Sequence, residues 1–484
     1  MFGKTILIIV ALALFVAGCS SNDKADAGGG DGDGDGDGSV TVCSGSDWTS
    51  LGHDMGSTFH ACAETKITRE NVGTLVEKWS AKMDGSSTGS PAVVGDTVYY
   101  ASFGYQADGL PAHRNIAAFD VADGTERWQA ANTYGGVQGS VAAADGSLYV
   151  MESGSIRKWD AARGVSEWSA IALTIGGQIQ YAMASTPLVV GDKLYVGTAS
   201  GQEALLNPGE QATFRGEMIA LNLDGTEAWR FQTVEAPSNG APIWSSASAD
   251  PEMGLLFMTT GNNYTGIASD TSNAIIAVDL ESGDLMWKYQ AVANDVFIQR
   301  PFPSGGPGPD YDFGANPILF EANGRKLVGA GSKSGSFYAV DRATGQEVWT
   351  SEVGMGCAAG GILNNGAYDG KYIYVSNWPC EGEATLAAID PNGGSVVWRK
   401  QLPEQSWAPI TVANGVGFIP SQNTLYAFDT DNGDTLLQRE FPGSICSGSV
   451  VSDGRLFVGS GTPDQFNGFG GVIDGDTFHV LGLP

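Results

Sequence analysis

Six cysteines, four histidines and a run of closely spaced aspartates are the residues through which this 484-residue chain could do chemistry. Thiols and imidazoles hold metals or attack carbonyls when they stand at set spacings, and here they do not. There is no Cys-x-x-Cys-His, so no c-type haem is attached. There is also no His-Glu-x-x-His, which argues against a zinc hydrolase. Asp31, Asp33 and Asp35 with Gly36 imitate the start of an EF-hand loop, but the twelfth position is Val42, where a bidentate Glu is required. No calcium is expected there. Cys19 closes the run Val16-Ala17-Gly18-Cys19, behind Lys4 and an apolar stretch from Ile6 to Val16, a pattern that resembles a bacterial lipobox. Residues 1–18 then read as a lipoprotein signal peptide and Cys19 as the lipidated residue, an ordinary signal peptide being the alternative. A lipid anchor is the one membrane contact expected, and Ser20 rather than Asp points to the outer membrane, facing the periplasm or the cell surface. Residues 19–42, with Gly-Asp repeats from Gly30 to Gly38, read as a flexible tether. Of the five other cysteines, Cys43 with Cys62 is a plausible local clasp and Cys357 with Cys380 a second pair, which leaves one thiol over.

The composition says which elements must position any such site. Glycine is 69 of 484 residues, about twice the usual share, and charged residues are only 16%. So much glycine disfavours helical bundles, while 12 Trp, 15 Tyr and 20 Phe exclude a disordered chain. Fifty-four acidic against 25 basic residues leave a net charge of −29, which repels nucleic acid. The body of the chain repeats itself. The pattern of a small residue, Asp, Gly and Trp recurs as Ala118-Asp120-Gly124-Trp128, Ala277-Asp279-Gly283-Trp287 and Ala339-Asp341-Gly345-Trp349. Weaker copies end at Trp168, Trp229, Trp398 and Leu437. Each is preceded by a turn and an alternating apolar run, as in VVGDTVYYAS and VVGDKLYVGT, and there are eight such runs. Alternation bounded by turn residues means hairpins. Eight hairpin-rich repeats predict an all-β fold, an eight-bladed β-propeller of four-stranded blades occupying residues 43–484 as one domain. Each Trp is expected between neighbouring blades. Leu75 to Trp79 would supply the outer strand that the eighth repeat lacks and close the ring.

With its Ala-x-Asp-x-x-x-Gly-x-x-x-Trp motif, this arrangement resembles the eight-bladed quinoprotein propellers, the pyrroloquinoline quinone (PQQ) dehydrogenases. The segment from Gly306 to Gly314, GPGPDYDFG, looks closest to the polyvinyl-alcohol dehydrogenase branch. The resemblance implies an oxidoreductase that oxidises an alcohol with PQQ and calcium and passes electrons to a separate acceptor such as a cytochrome c. It also implies site residues. Trp244 stands eighteen residues before Asn262, matching the Trp beneath the quinone and the Asn that binds calcium. Glu203 matches the second metal ligand, and Lys333 the cation beside the quinone oxygens.

The departures are equally specific. The run Asn294-Asp295-Val296-Phe297-Ile298 puts Ile298 where the family has its catalytic base. Asp295 is the candidate that survives there, with Asp310 and Asp312 as alternatives, and slow turnover is the expectation. Gln138 stands where some members carry a carboxylate-binding Arg, and the adjacent-cysteine pair of several members is absent. Arg300 stands where lanthanide-dependent relatives carry an extra Asp, so calcium is the metal expected. The alternative reading is a non-catalytic outer-membrane lipoprotein propeller, a binding or assembly scaffold, because fold alone does not settle function.

Overall fold

The computed structural model describes residues 45–85, 89–102, 115–130, 139–152, 155–170, 183–200, 202, 211–298, 308–461 and 476–484, with short strand pieces at 174–175 and 178–179. The expected leader and tether, with Cys19 and Cys43, lie outside the described residues. Eight four-stranded antiparallel sheets make up the fold, spanning 92–130, 142–170, 188–232, 248–290, 318–352, 367–402, 411–440 and 450–482. We number these blades 1 to 8. The short first strands of successive blades touch one another around the ring, as Ala92–Val94 does with Ala142–Ala144. Second strands such as Thr97–Ala101 and Leu255–Thr259 are buried along their whole length, because blades cover both of their faces. Fourth strands such as Val165–Ala170 alternate between exposed and half-buried positions, because one face meets water.

The repeated motif works as a joint between blades. In blade 1, Asp120 accepts the backbone N–H of Ala122 at 2.8 Å, and Gly124 takes φ +76° to turn the chain into the fourth strand. A Cβ on Gly124 would lie 2.5 Å from the indole of Trp79, which belongs to the preceding blade. The Trp79 N–H then donates to the Val121 carbonyl at 3.1 Å. Trp128, Trp168, Trp229, Trp287, Trp349 and Trp398 repeat this, each donating to a turn carbonyl of the next blade at 2.9–3.2 Å. Gly164, Gly225, Gly283, Gly345, Gly394 and Gly433 lie beneath those six rings.

Strand Val76–Lys82 pairs antiparallel with Thr477–Gly482, so the last blade is built from both ends of the chain and the ring closes. This closure explains Leu437. The third and fourth strands of blade 8 are not joined by a turn, so no turn glycine is present for a Trp to cover. A single turn of 3₁₀-helix, Val72–Thr74, packs there instead, with Gly73 against the Leu436 carbonyl. Cys357 and Cys380 form a disulfide, Cys62 is also disulfide-bonded, and Cys446 is a thiol. Among the described residues no helix is long and apolar enough to cross a membrane.

Candidate cofactor site

Antiparallel alternation sorts the loops of every blade onto two faces. The motif turns, between third and fourth strands, lie on one. The links between second and third strands, and between a fourth strand and the next blade, lie on the other. Every candidate side chain among the described residues belongs to the second group. Asn262 follows strand Leu255–Thr259 and Lys333 follows Arg325–Gly331, both before a third strand. Trp244 lies in the link from blade 3 to blade 4, and Asp295, Asp310 and Asp312 lie in the link from blade 4 to blade 5.

These links meet around Lys333, which is buried. Its Nζ donates to Asp310 Oδ1 at 2.8 Å and to Asp312 Oδ2 at 2.9 Å, and lies 5.5 Å from the centre of the Trp244 ring. The Lys333 backbone N–H also donates to the Asp312 carbonyl at 2.8 Å. The second oxygen of the Asp312 carboxylate accepts the Asn262 N–H at 2.5 Å. Gly261 allows that approach, since a Cβ there would come within 2.9 Å of Asp312 Oδ1. Trp244, Asn262, Lys333 and Asp312 therefore form one connected group. A smaller apolar cluster of Ala199, at the end of strand Lys193–Ala199, with Leu363 and Trp407 from two further links, packs on Trp244. Gly314 lets the Trp244 ring approach, as a Cβ there would lie 3.0 Å from Cη2.

Two polar atoms in this group are buried without a partner among the described residues: the Asn262 Oδ1 and the Trp244 Nε1. The Asn262 amide is not free to turn. Its Nδ2 donates to the carbonyls of Asn263 at 2.8 Å and Phe297 at 2.9 Å, which directs Oδ1 the other way. A buried amide oxygen left unmatched costs roughly 1–3 kcal/mol, so a partner from outside the chain is chemically called for.

Asp295 does different work. Its carboxylate accepts the backbone N–H of Asp310 at 3.1 Å, that of Tyr311 at 2.7 Å, and Nδ2 of Asn273 at 2.6 Å. A Cβ on Gly308 would lie 1.9 Å from its Oδ1, so the loop is packed directly against it. Burial pushes its pKa above the ordinary aspartate value. Ile298 is half-buried. Glu203, Gln138 and Arg300 lie outside the described residues. Among the described residues there is no group of three or more His, Cys, Asp and Glu side chains suited to a metal ion. A hard cation here would rely on Asn262 Oδ1 and on oxygens supplied from elsewhere. The Asp312–Lys333 pairing and the apolar wall of Leu363 and Trp407 were not legible in the sequence. Two acids spaced i, i+2, close enough to share one cation, were the available signal for the pairing.

Comparison with known proteins agrees with this picture. A family model described as the glucose/ethanol/alcohol dehydrogenase β-propeller domain matches residues 174–354. One described as outer membrane protein assembly factor BamB matches 69–210 and 333–449. The polyvinylalcohol dehydrogenase of Pseudomonas sp. is 26% identical over 86% of this chain and 73% of its own length. That of Sphingopyxis sp. (strain 113P3) is 27% identical over 83% and 70%. Among solved structures, the quinohemoprotein alcohol dehydrogenase of Pseudomonas putida HK5 has a TM-score of 0.73 at 19% identity, covering 90% of this chain and 80% of its own. BamB from Moraxella catarrhalis has a TM-score of 0.58 at 15% identity, covering 84% and 99%. With its eight docked blades and a family model matched over more than half of its length, the chain belongs to the PQQ-type family of β-propellers.

Proposed function

We propose that this protein is a quinoprotein dehydrogenase that oxidises an alcohol with PQQ and calcium and hands the electrons to a separate acceptor such as a cytochrome c. One observation carries the reading. An indole face, a buried ammonium, a carboxylate and an asparagine with an orphaned amide oxygen meet in a single cluster. These residues fit the group. Trp244 would floor a planar ring, Lys333 would face its oxygens, and Asn262 Oδ1 would ligate calcium, with Glu203 joining the shell as the family resemblance implies. When bound, PQQ supplies a two-electron acceptor for the hydride of the alcohol, polarised by calcium as a Lewis acid.

The chain's own side chains do the rest. A base must reach the hydroxyl proton, and the geometry favours Asp312 over Asp295. Donors hold both carboxylates, but those of Asp295 come from Asn273 and its own loop, whereas those of Asp312 are Lys333 and Asn262, the residues that would hold the cofactor. Lys333 sets a cation against two buried carboxylates, which makes their burial tolerable. Leu363 and Trp407 keep water from the indole. Slow turnover, expected from Ile298, does not follow once Asp312 is the base. The test is reconstitution: purified protein is given PQQ and calcium, and dye-linked oxidation of secondary alcohols is followed, polyvinyl alcohol first because two relatives bear its name. Turnover that needs both additions supports the reading, and none with any alcohol counts against it. The match to the BamB model keeps a scaffold as the second reading. A scaffold would bind no PQQ and has no use for a buried lysine flanked by two aspartates.

A further inference from the structure

The backbone of Lys333 is wrapped by the loop that leaves blade 5. The Lys333 carbonyl accepts the Cys357 N–H at 3.0 Å, and the Ser332 carbonyl accepts that of Ile362 at 3.0 Å. Where the loop crosses Lys333 it carries glycine. A Cβ on Gly361 would lie 2.3–2.4 Å from the carbonyl and Cα of Lys333, and one on Gly356 would lie 2.5 Å from its carbonyl oxygen. Backbone therefore lies on backbone over Lys333 itself, while the next residue, Ile362, packs its side chain on Gly331. The loop is also anchored at its far side. Cys357 is bonded to Cys380, which follows the second strand of blade 6, and Gly361 and Trp378 exchange backbone hydrogen bonds at 2.7 and 3.0 Å. Met355, in the same loop, is 73% exposed, so the loop faces solvent and a reductant can reach it.

We propose that the Cys357–Cys380 disulfide is a positioning element for Lys333: it clamps the loop over the lysine backbone, and reducing it loosens the grip of the site on its cofactor. The cofactor part rests on the function proposed above, but the clamp does not. A dithiol reductant would convert the disulfide to two thiols, delivering two electrons and two protons and itself closing to a cyclic disulfide. The loop would keep its hydrogen bonds but lose the cross-link that limits its opening.

The experiment measures acetylation of lysines by acetic anhydride in the cofactor-free full-length protein, residue by residue, by mass spectrometry. Lys371, which is exposed, is the reference, and Lys193, only 13% exposed in blade 3, reports general loosening. In the double variant Cys357→Ser/Cys380→Ser, Lys333 labelling is expected to rise roughly tenfold while Lys193 stays unchanged. Dithiothreitol on the parent should reproduce this, and it should do so equally in Cys62→Ser, which removes the other disulfide. Unchanged Lys333 labelling would overturn the proposal, and so would a parallel rise at Lys193, since that reports general unfolding. A second arm titrates PQQ with calcium. Weaker binding in the double variant than in the parent supports the coupling to the cofactor, and equal binding refutes it. If the parent binds no PQQ while Lys333 labelling still responds, the clamp stands and the function proposed above fails.

Discussion

Lys333 is the residue on which the site turns, because its ammonium group ties together two aspartates and an indole while its backbone carries a wrapped loop. Trp244, Asn262 and Lys333 were legible in the sequence because each sits in a short local pattern whose spacing survives. The pairing of the acids was not, because the Gly- and Pro-rich segment before Asp310 breaks the count, and only contacts across it show that Asp310 and Asp312 bind the lysine. Asp312 and Asp295 can be told apart by substitution. Asp312→Asn keeps an acceptor for the Asn262 N–H but cannot take a proton, so turnover with bound PQQ should fall by roughly 10²–10⁴-fold. Asp295→Asn offers an amide to backbone N–H groups, so it should lower stability by about 1–3 kcal/mol and leave a proton acceptor in place. Steady-state rates of the two variants at saturating PQQ decide the matter, and brisk turnover in Asp312→Asn would return the base to another carboxylate.

At the scale of the element, the docking turn was readable in full, since its Asp, Gly and Trp each answer a separate physical demand. Gly345 shows how strictly: its φ is +68° and a Cβ would sit 2.4 Å from Trp287. Gly324 has nearly the same φ, +69°, with nothing within 4 Å. Gly324→Ala should therefore cost about 1 kcal/mol from backbone strain alone, and Gly345→Ala about 3 kcal/mol or more, as measured by urea unfolding. Equal losses would show that the indole adds nothing to the turn. The segment before the first blade holds a second element-scale device. His53 is buried edge-on to Trp48 with its ring centre 4.9 Å away, and burial, aided by nearby His60, lowers its pKa from 6.5 to about 4. As pH falls below 6.5 the unfolded chain takes up this proton first. The stability His53 confers is thus complete above pH 6.5 and is lost progressively down to about pH 4. The loss is on the order of 3 kcal/mol. Because His53 has φ +71°, His53→Asn is the substitution its backbone accepts best. That variant should flatten the slope of unfolding free energy between pH 6.5 and 4. An unchanged slope would assign the acid sensitivity to other groups.

At the scale of the whole molecule, antiparallel order alone sends the blade-docking turns to one face and the chemistry to the other, so the repeats that reveal the fold say little about the site. This is why the ring, its closure through Val76–Lys82 and its seven docking tryptophans followed from the sequence, while the cluster around Lys333 needed coordinates. The central claim is that this cluster is built for PQQ and calcium. Isothermal titration of PQQ into the calcium-loaded protein tests it most directly, with Trp244→Ala and Asn262→Leu as partners. We expect saturable binding of about one PQQ per chain, weakened at least roughly tenfold by loss of the stacked indole. In Asn262→Leu the dependence of binding on calcium should disappear. No saturable binding by the parent, or equal affinity in all three proteins, would contradict the account.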